Sequence, residues 1–336
     1  MPVTIKDVSA KCGLSISTVS KAFNNYADIS LETRELVQRT AREIGYYPNA
    51  IARTLKTNRS YNLGVLFQEK RGTGLTHSFF ASVLDAFKSA GEKRGYDITF
   101  INHNISGKSM SYLEHCHYRG VDGVVIACVN FYDPQVVELV NGDVPVVTID
   151  HVFNNRMAIL SDNVVGTKAL VQQAWACGHR RIAFIHGEKT SVTENRIAGF
   201  YQACEELGLE IPEEYVRDGV YHDVERCAEE PRALLALPQR PTCIIFPDDF
   251  SALGGYNALA EAGLSIPDDI SVMGYDGIYL SRVVNPSLVT YQQNTAALGR
   301  TAAEKLIELI EHPRVTLPEQ IRVSGRLLDG GSVRSL

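Results

Sequence analysis

The sequence predicts an N-terminal all-α helix-turn-helix head followed by a long α/β core of parallel sheets, covered by helices on both faces and divided into two lobes. Three observations predict it. Apolar residues in the first 47 positions recur at helical spacing in three short segments. The remainder alternates continuous apolar runs with amphipathic helices, the pattern of parallel sheets buried on both faces. The 276 residues after Ser60 are many for a single hydrophobic core, so two lobes are predicted.

Taken in order, Thr4 stands three residues before Asp7 in a capping-box-like start, and Ile5, Val8 and Cys12 keep one face apolar, so a first helix ends near Lys11. Gly13 supplies a turn residue tolerant of positive φ, and Ser15 and Ser17 offer cap oxygens for a second helix that turns Val19, Ala22 and Phe23 inward. Ser30, preceded by Ile29, caps a third helix through Leu36, Val37, Ala41 and Ile44, which stops at Gly45. Two short helices across a glycine turn make a helix-turn-helix, whose second helix enters the DNA major groove. Ser17, Thr18 and Lys21 are then the polar residues able to reach base edges and phosphates. Ile16 lies on the stripe of Val19 and Phe23, so its spacing suits both a core position and a contact to a thymine methyl.

Charge agrees with a nucleic-acid partner at one end. Through Ser60 there are nine Lys or Arg against five Asp or Glu, a net +4, whereas the rest holds 24 against 34, a net −10. Only the head is built to meet a polyanion. The following segment, Asn49 to Leu55, has room for a helix of about six residues, roughly 9 Å long and too short to persist alone in water. Asn49 can cap it, Ile51 and Leu55 share a face, and Arg53 projects beside them. Two such helices paired across a dimer would place leucine wedges in a minor groove and bend the duplex.

In the core, YNLGVLF, YDITFIN, GVVIACV and VPVVTID read as buried strands, with helices expected at 78–94 and 106–119. RRIAFIHG, TCIIFPD and ISVMGYD form a second series, with helices near 163–177, 193–208, 223–236 and 249–263. Ligands of open α/β sheets settle beyond the carboxyl ends of strands. Asp248 and Asp249 close one strand, Asp276 another, Asp162 follows the strand at 158–161, Arg196 enters the helix after RRIAFIHG, and Phe79 and Phe80 begin the helix after the first strand. Carboxylates accept hydroxyl hydrogens, a guanidinium donates a fixed fork, and aromatic faces cover an apolar side, a combination suited to a sugar.

The segments TIKDVSAKCGLSISTVSKAFNN, ISLETRELV and YYPNAIARTLKT resemble the head and hinge of the lactose-repressor (LacI/GalR) family of transcriptional regulators, and DNVVGTKALVQ, GHRRIAFIHG, NRIAGFYQA and GLSIPDDISVMGYD extend the resemblance through nearly the whole chain. The resemblance implies a periplasmic-binding-protein type of clamshell, with crossings between lobes near Asp162, Thr290 and Arg322. Its expected divisions are a head at 1–47, a hinge and linker at 48–60, and a core at 61–336, the first lobe taking about 61–161 and 291–321 and the second about 162–290 and 322–336. It implies effector contacts at Arg196, Asp276 and Asp248, with Phe80, Asp162, Tyr221 and Gln293 at other pocket positions. It also implies a cytoplasmic homodimer on a pseudo-palindromic operator, since one head reads only a few base pairs. The chain departs from the pattern at Asp248, where Asn is frequent, at Gly277, and at Thr190, which is basic in purine-binding members.

Other chemistries are disfavoured by broken motifs. Gly107-Lys108-Ser109 echoes the end of a P-loop, but Asn102 stands where the first glycine should be. Gly72 and Gly74 are followed by His77 rather than a third small residue, and YDITFIN ends without an acid, which weakens a dinucleotide site and with it a Rossmann-like enzyme. Glu114, His115 and His117 are spaced to point apart on a helix, not to converge on a metal. The seven cysteines form no CxxC pair, as expected of reduced thiols, and no apolar stretch suggests an export signal or membrane span, so a transport-associated solute-binding protein is the weaker alternative. No cofactor is expected.

Overall fold

The computed structural model describes residues 3–47, 59–69, 72, 74–105 and 107–336, which fall into two compact units divided between Ser60 and Tyr61. The first unit holds α1 (Ile5–Cys12), α2 (Ile16–Phe23) and α3 (Leu31–Ile44). The Asp7 carboxylate accepts from both the amide and the hydroxyl of Thr4 at 2.8 Å, and Gly13, at φ 68°, ends α1 one residue beyond Lys11. Ser15 is the cap of α2, accepting from the Thr18 amide at 3.1 Å, while Ser17 sits in the first turn. Ser30 and Gly45 bound α3 as expected. Val8, Val19, Ala22, Val37 and Ala41 are buried together, so the head has its own small core.

In the second unit, the first lobe begins with β1 (Asn62–Phe67), α4 (Ser78–Lys93) and β2 (Asp97–Phe100). A hairpin of β3 (Asn104–Ile105) and β4 (Lys108–Ser109) precedes α5 (Tyr112–Arg119), β5 (Gly123–Ala127), α6 (Pro134–Asn141), β6 (Val146–Ile149) and β7 (Met157–Ser161). The second lobe runs through α7 (Asn163–Ala176), β8 (Ile182–His186), α8 (Ser191–Glu206), β9 (Val216–Asp218), α9 (Val224–Leu235) and β10 (Cys243–Ile245), then α10 (Asp249–Glu261), β11 (Ser271–Asp276), α11 (Leu280–Val283) and β12 (Val289–Gln292). The chain returns for α12 (Thr295–Glu311) and β13 (Gln320–Val323), and finishes in the second lobe with β14 (Arg326–Leu328).

Each lobe has a six-stranded sheet, ordered β13-β7-β6-β5-β1-β2 and β14-β12-β11-β10-β8-β9. Strand alternation divides each sheet between two helix layers. In β1 and β5, Leu63, Val65, Val125 and Ala127 face α4 and α12, while Leu66, Val124 and Ile126 face α5 and α6. The second lobe repeats this with α7 and α8 on one face, through Leu170 and Phe200, and α9 and α10 on the other, through Leu234 and Leu259. At Gly299 an added Cβ would lie 2.1 Å from the Val83 carbonyl, so glycine is what lets α12 lie directly on α4.

Three expectations need correction. The helix expected over 106–119 starts only at Tyr112, where Ser111 and Glu114 cap it, and the preceding residues pair as the hairpin with Gly107 at φ 74°. The second sheet is not wholly parallel. Its edge strand β14 runs antiparallel to β12, because a chain leaving β13 toward the facing lobe enters that lobe in the opposite sense after only two residues. The crossings after Asp162 are at 293–294 and 324–325 rather than at Thr290 and Arg322, since Gln292 still pairs with Asp276 and Val323 with Ser161.

Candidate functional site

In the head, α2 turns Val19 and Ala22 inward, while Ile16 is 44% exposed. The structure thus takes Ile16 off the core stripe and leaves it on the surface with Ser17. The Thr18 hydroxyl shares a 2.8 Å hydrogen bond with Ser15, and Lys21 pairs with Asp28 across the turn, an exposed ion pair that a phosphate could displace. Thr4 is exposed but bonded to Asp7. Asn49, Arg53 and Leu55 lie outside the described residues.

In the second unit a cavity of about 340 Å³ lies beyond the carboxyl ends of strands from both sheets. The first lobe contributes Glu69 after β1, His77, Phe79 and Phe80 at the start of α4, Cys128 to Tyr132 after β5, and Ile149 to His151 after β6. The second contributes Glu188 to Val192 and Arg196 around the start of α8, Tyr221 and His222 after β9, Asp276 at the end of β11, and Gln293 after β12.

Arg196 is held from three sides. Its Nε donates to Asn163 Oδ1 at 2.8 Å, one terminal nitrogen donates to the Pro247 carbonyl at 2.6 Å, and the guanidinium lies 3.5 Å from the centre of the Tyr275 ring. The other terminal nitrogen is 3.7 Å from Asp276 Oδ1, so its charge faces the cavity beside that carboxylate. Gln293 donates to the same Asp276 oxygen at 2.6 Å, leaving its own Oε1 buried without a partner. From the opposite lobe Asp150 accepts from the amide and hydroxyl of Ser161 at 2.6 and 3.2 Å. Burial raises its carboxyl above the usual range, against the opposing pull of those bonds and of Arg196. Buried polar atoms ordinarily find partners, so an unmet acceptor on a cavity wall is a place for a ligand donor.

Rings line much of the rest. His77 contacts His222 across the cleft with centroids 3.7 Å apart, and each ring has a buried nitrogen without a partner, Nδ1 of His77 and Nε2 of His222. Burial first, then the neighbouring His222, lowers His77 to about 4, so it is neutral at pH 7. The Tyr221 ring lies over Gly187, where a Cβ would come within 2.1 Å of it. A second contact between lobes joins the Ser191 hydroxyl to the Asp150 carbonyl at 3.1 Å.

Backbone strain concentrates in the same place. Among the described residues seven non-glycine residues have positive φ, and four of them, Cys128, Asp150, His222 and Asp276, line this cavity. Such conformations cost roughly 1 to 3 kcal/mol each and persist where surrounding structure imposes them. Cys128 and Asp150 stand directly after β5 and β6, and the loops that follow them carry Phe131, Tyr132 and His151 into the cavity lining.

Of the sequence-selected residues, Phe79, Phe80, Arg196, Tyr221, Asp276 and Gln293 line the cavity together. Asp248 and Asp162 do not. Asp248 is buried and accepts from the Ser251 amide and hydroxyl at 2.7 Å each and from the His222 amide at 3.0 Å, so it caps α10 and fixes the His222 loop. Asp162 caps α7 through the Val165 amide. Asp249 bonds Thr290 and the Ile278 amide, and burial followed by the nearby Asp276 raises it well above an ordinary carboxyl. Asp150, His77, His222 and the Phe131, Tyr132, His151 group were not selected. Asp150 carried the same strand-end signal as Asp276, but loop aromatics resemble core residues until the fold places them. His115 accepts from the Asn102 amide and His117 pairs with Asp143, so the two point to different partners.

Residues 4–49 match the bacterial regulatory proteins of the lacI family, and residues 171–333 match a periplasmic binding protein-like domain. The HTH-type transcriptional repressor PurR of Pasteurella multocida is 33% identical over 318 residues, covering 91% of this chain and 92% of the relative. PurR of Haemophilus influenzae is 30% identical over 344 residues, covering 99% of both. Among solved structures, a lac repressor dimer bound to operator and the anti-inducer ONPF superposes with a TM-score of 0.81 at 26% identity, covering 99% and 100% of the two chains. The transcriptional regulator CelR in complex with cellobiose gives 0.72 at 25% identity, covering 98% and 99%.

Proposed function

Because the chain belongs to the lacI family of bacterial regulatory proteins, and is therefore a DNA-binding transcriptional repressor answering to a small-molecule effector, we propose that its effector is a sugar held between Asp150, Arg196, Asp276 and Gln293. The observation that carries this reading is that grouping: carboxylates from facing lobes, a guanidinium with one terminal nitrogen turned to the cavity, and a buried amide oxygen awaiting a donor. A polyol has many hydroxyls that donate and accept at once, and its apolar face suits the rings of the remaining walls.

Binding acts on the equilibrium between lobe arrangements, because Asp150 belongs to one lobe and Arg196, Asp276 and Gln293 to the other. A ligand touching both strengthens the arrangement that the Ser191–Asp150 and His77–His222 contacts already bridge. In the homodimer on a pseudo-palindromic operator, that choice alters how the paired heads and the Asn49 to Leu55 segments engage DNA. Couplings of this kind amount to about 1 to 3 kcal/mol, some 5 to 150-fold in affinity. The protein works in the cytoplasm and catalyses no reaction. No helix among the described residues is long and apolar enough to cross a membrane.

A thermal-shift screen of full-length protein against sugars, sugar phosphates and nucleobases tests the effector class. Stabilisation should grow as RT ln(1 + [L]/Kd) for neutral sugars. A response confined to nucleobases or to phosphorylated compounds would refute the sugar reading while leaving the repressor assignment in place.

A further inference from the structure

The contact between His77 and His222 belongs to no part of the polar grouping, yet it joins the two lobes. His77 precedes α4 in the first lobe, and His222 follows β9 in the second. Phe80 on α4 meets His77 edge-on at 4.9 Å, and Phe250 on α10 stacks on His222 at 5.4 Å with planes within 15°. Four rings thus make a row from lobe to lobe, and its middle contact, at 3.7 Å, is where the lobes meet. A neutral imidazole donates from one nitrogen and accepts at the other, whereas a protonated one donates from both. His77 Nδ1 and His222 Nε2 are buried here without a partner. A proton on either ring would therefore leave a charged donor buried without an acceptor, which costs more than a neutral group in the same place. Parting the lobes wets both nitrogens and removes that cost.

The charged groups around the pair are engaged elsewhere or outweighed. Glu69 after β1 and Asp248 at the start of α10 both draw a proton toward His77, but burial and His222 prevail and hold it at about 4. Asp248 is already bonded to Ser251 and to the His222 amide. Asp223, beside His222, caps α9 through the Arg226 amide, and Glu188 accepts from the Tyr221 amide. Asp150, on the first-lobe wall of the same cleft, titrates in the opposite sense, since burial raises its carboxyl and its protonation favours a closed cleft. The second contact between lobes, from the Ser191 hydroxyl to the Asp150 carbonyl, carries no titrating group.

We propose that His77 and His222 form a proton-sensitive latch on the cleft: the lobes stay together while both rings are neutral, protonation of His77 parts them, and the response to effector weakens in mildly acid surroundings. The inference rests on the reading above that the effector acts on the equilibrium between lobe arrangements, and not on its being a sugar. The sign follows from linkage. In the joined lobes His77 takes up a proton only near pH 4, whereas a wetted imidazole does so near 6.5. The latch is fully made above about pH 6.5, and each pH unit from there down to about 4 favours the parted arrangement by up to about tenfold.

Double electron–electron resonance on the full-length protein tests this without any effector. Spin labels carried by a keto amino acid replace Tyr118 on α5 and Gln202 on α8, both exposed and one on each lobe, so the seven cysteines stay native. Labelled protein is diluted with unlabelled protein, so that distances within one chain are read. From about pH 7.5 to about pH 5 the ratio of short to long interlobe distances should fall by about ten- to thirtyfold in wild type. In His77→Phe, which keeps a ring and takes up no proton, it should change by less than about threefold; His77→Leu serves the same purpose if phenylalanine does not fit. A wild-type ratio indifferent to pH, or a fall as large in the variant as in wild type, would overturn the latch. No ligand enters the measurement, so a failed latch leaves the effector reading standing, and that reading stands or falls by the thermal-shift screen.

Discussion

The two walls of the cleft are made of different materials. The second lobe presents, beside the rings of Tyr221 and His222, the charge and amide groups of Arg196, Asp276 and Gln293, each fixed by hydrogen bonds to its own lobe. The first lobe presents mostly rings, Phe80, His77, Phe131 and His151, with Asp150 as a part-buried carboxylate. Hydrogen-bonded charge has a direction and so decides which ligand atom sits where, whereas rings exclude water and favour shape. The difference teaches that orientation is set by one lobe and fit by the other, so that closing the cleft is what brings both to a ligand.

The largest expected effect comes from breaking the charged wall. Arg196→Met leaves Asp276 and Asp150 without their shared cation and should lower stability by about 3 to 5 kcal/mol in urea unfolding, as removal of one member of a buried ionic group does. It should also abolish thermal stabilisation by the effector. Retention of both would show the guanidinium to be incidental.

The ring wall should reveal itself through pH. His77 is held at about 4 in the folded chain, below the 6.5 of an exposed imidazole, so between those values the unfolded chain takes up a proton that the folded one does not. Stability is therefore undiminished above about pH 6.5 and falls as pH drops toward 4, by at most about 1.4 kcal/mol per pH unit for this one group. His77→Leu should flatten that part of the unfolding profile. An unchanged slope would mean that His77 is protonated or exposed in solution.

A smaller effect separates scaffold from wall. Asp248→Ala removes a helix cap and the His222 loop contact, with an expected cost of about 1 to 3 kcal/mol, yet effector affinity measured by titration should stay within a few-fold. A loss as great as that of Asp276→Asn would restore Asp248 to the ligand shell. Smallest for stability is Ile16→Ala in the head, expected within about 0.5 kcal/mol because the side chain is exposed. Operator affinity should nevertheless fall in a salt-controlled titration, and no change would remove Ile16 from the DNA-reading surface.

How much of this was readable in advance follows the same division. The head was legible almost to the residue because its determinants are local, with Ser15, Ser30, Gly13 and Gly45 marking ends by chemistry that acts within a turn. The sheets were legible as apolar runs, but the short hairpin at 104–109 and the edge strand β14 were not, since pairing of two or three residues is decided by neighbours distant in sequence. At the site, strand-end polar residues pointed to Arg196 and Asp276, which line the cavity, and equally to Asp248 and Asp162, which cap helices, because a carboxylate that caps a helix and one that faces a cavity look alike until its hydrogen bonds are known. The aromatic wall gave no signal. Phe131 and His151 acquire meaning only when β5 and β6 lie side by side.

The central claim is that occupancy beside Arg196 and Asp276 governs operator affinity. Fluorescence anisotropy of a labelled operator, at fixed salt and with or without a saturating compound identified by thermal shift, tests it directly in wild type and in Asp276→Asn. The account predicts a 5 to 150-fold change in wild-type operator affinity and little or none in the variant, whose affinity without ligand is unaltered. A compound that stabilises wild type yet leaves its operator affinity untouched, or a variant that responds as wild type does, would contradict it.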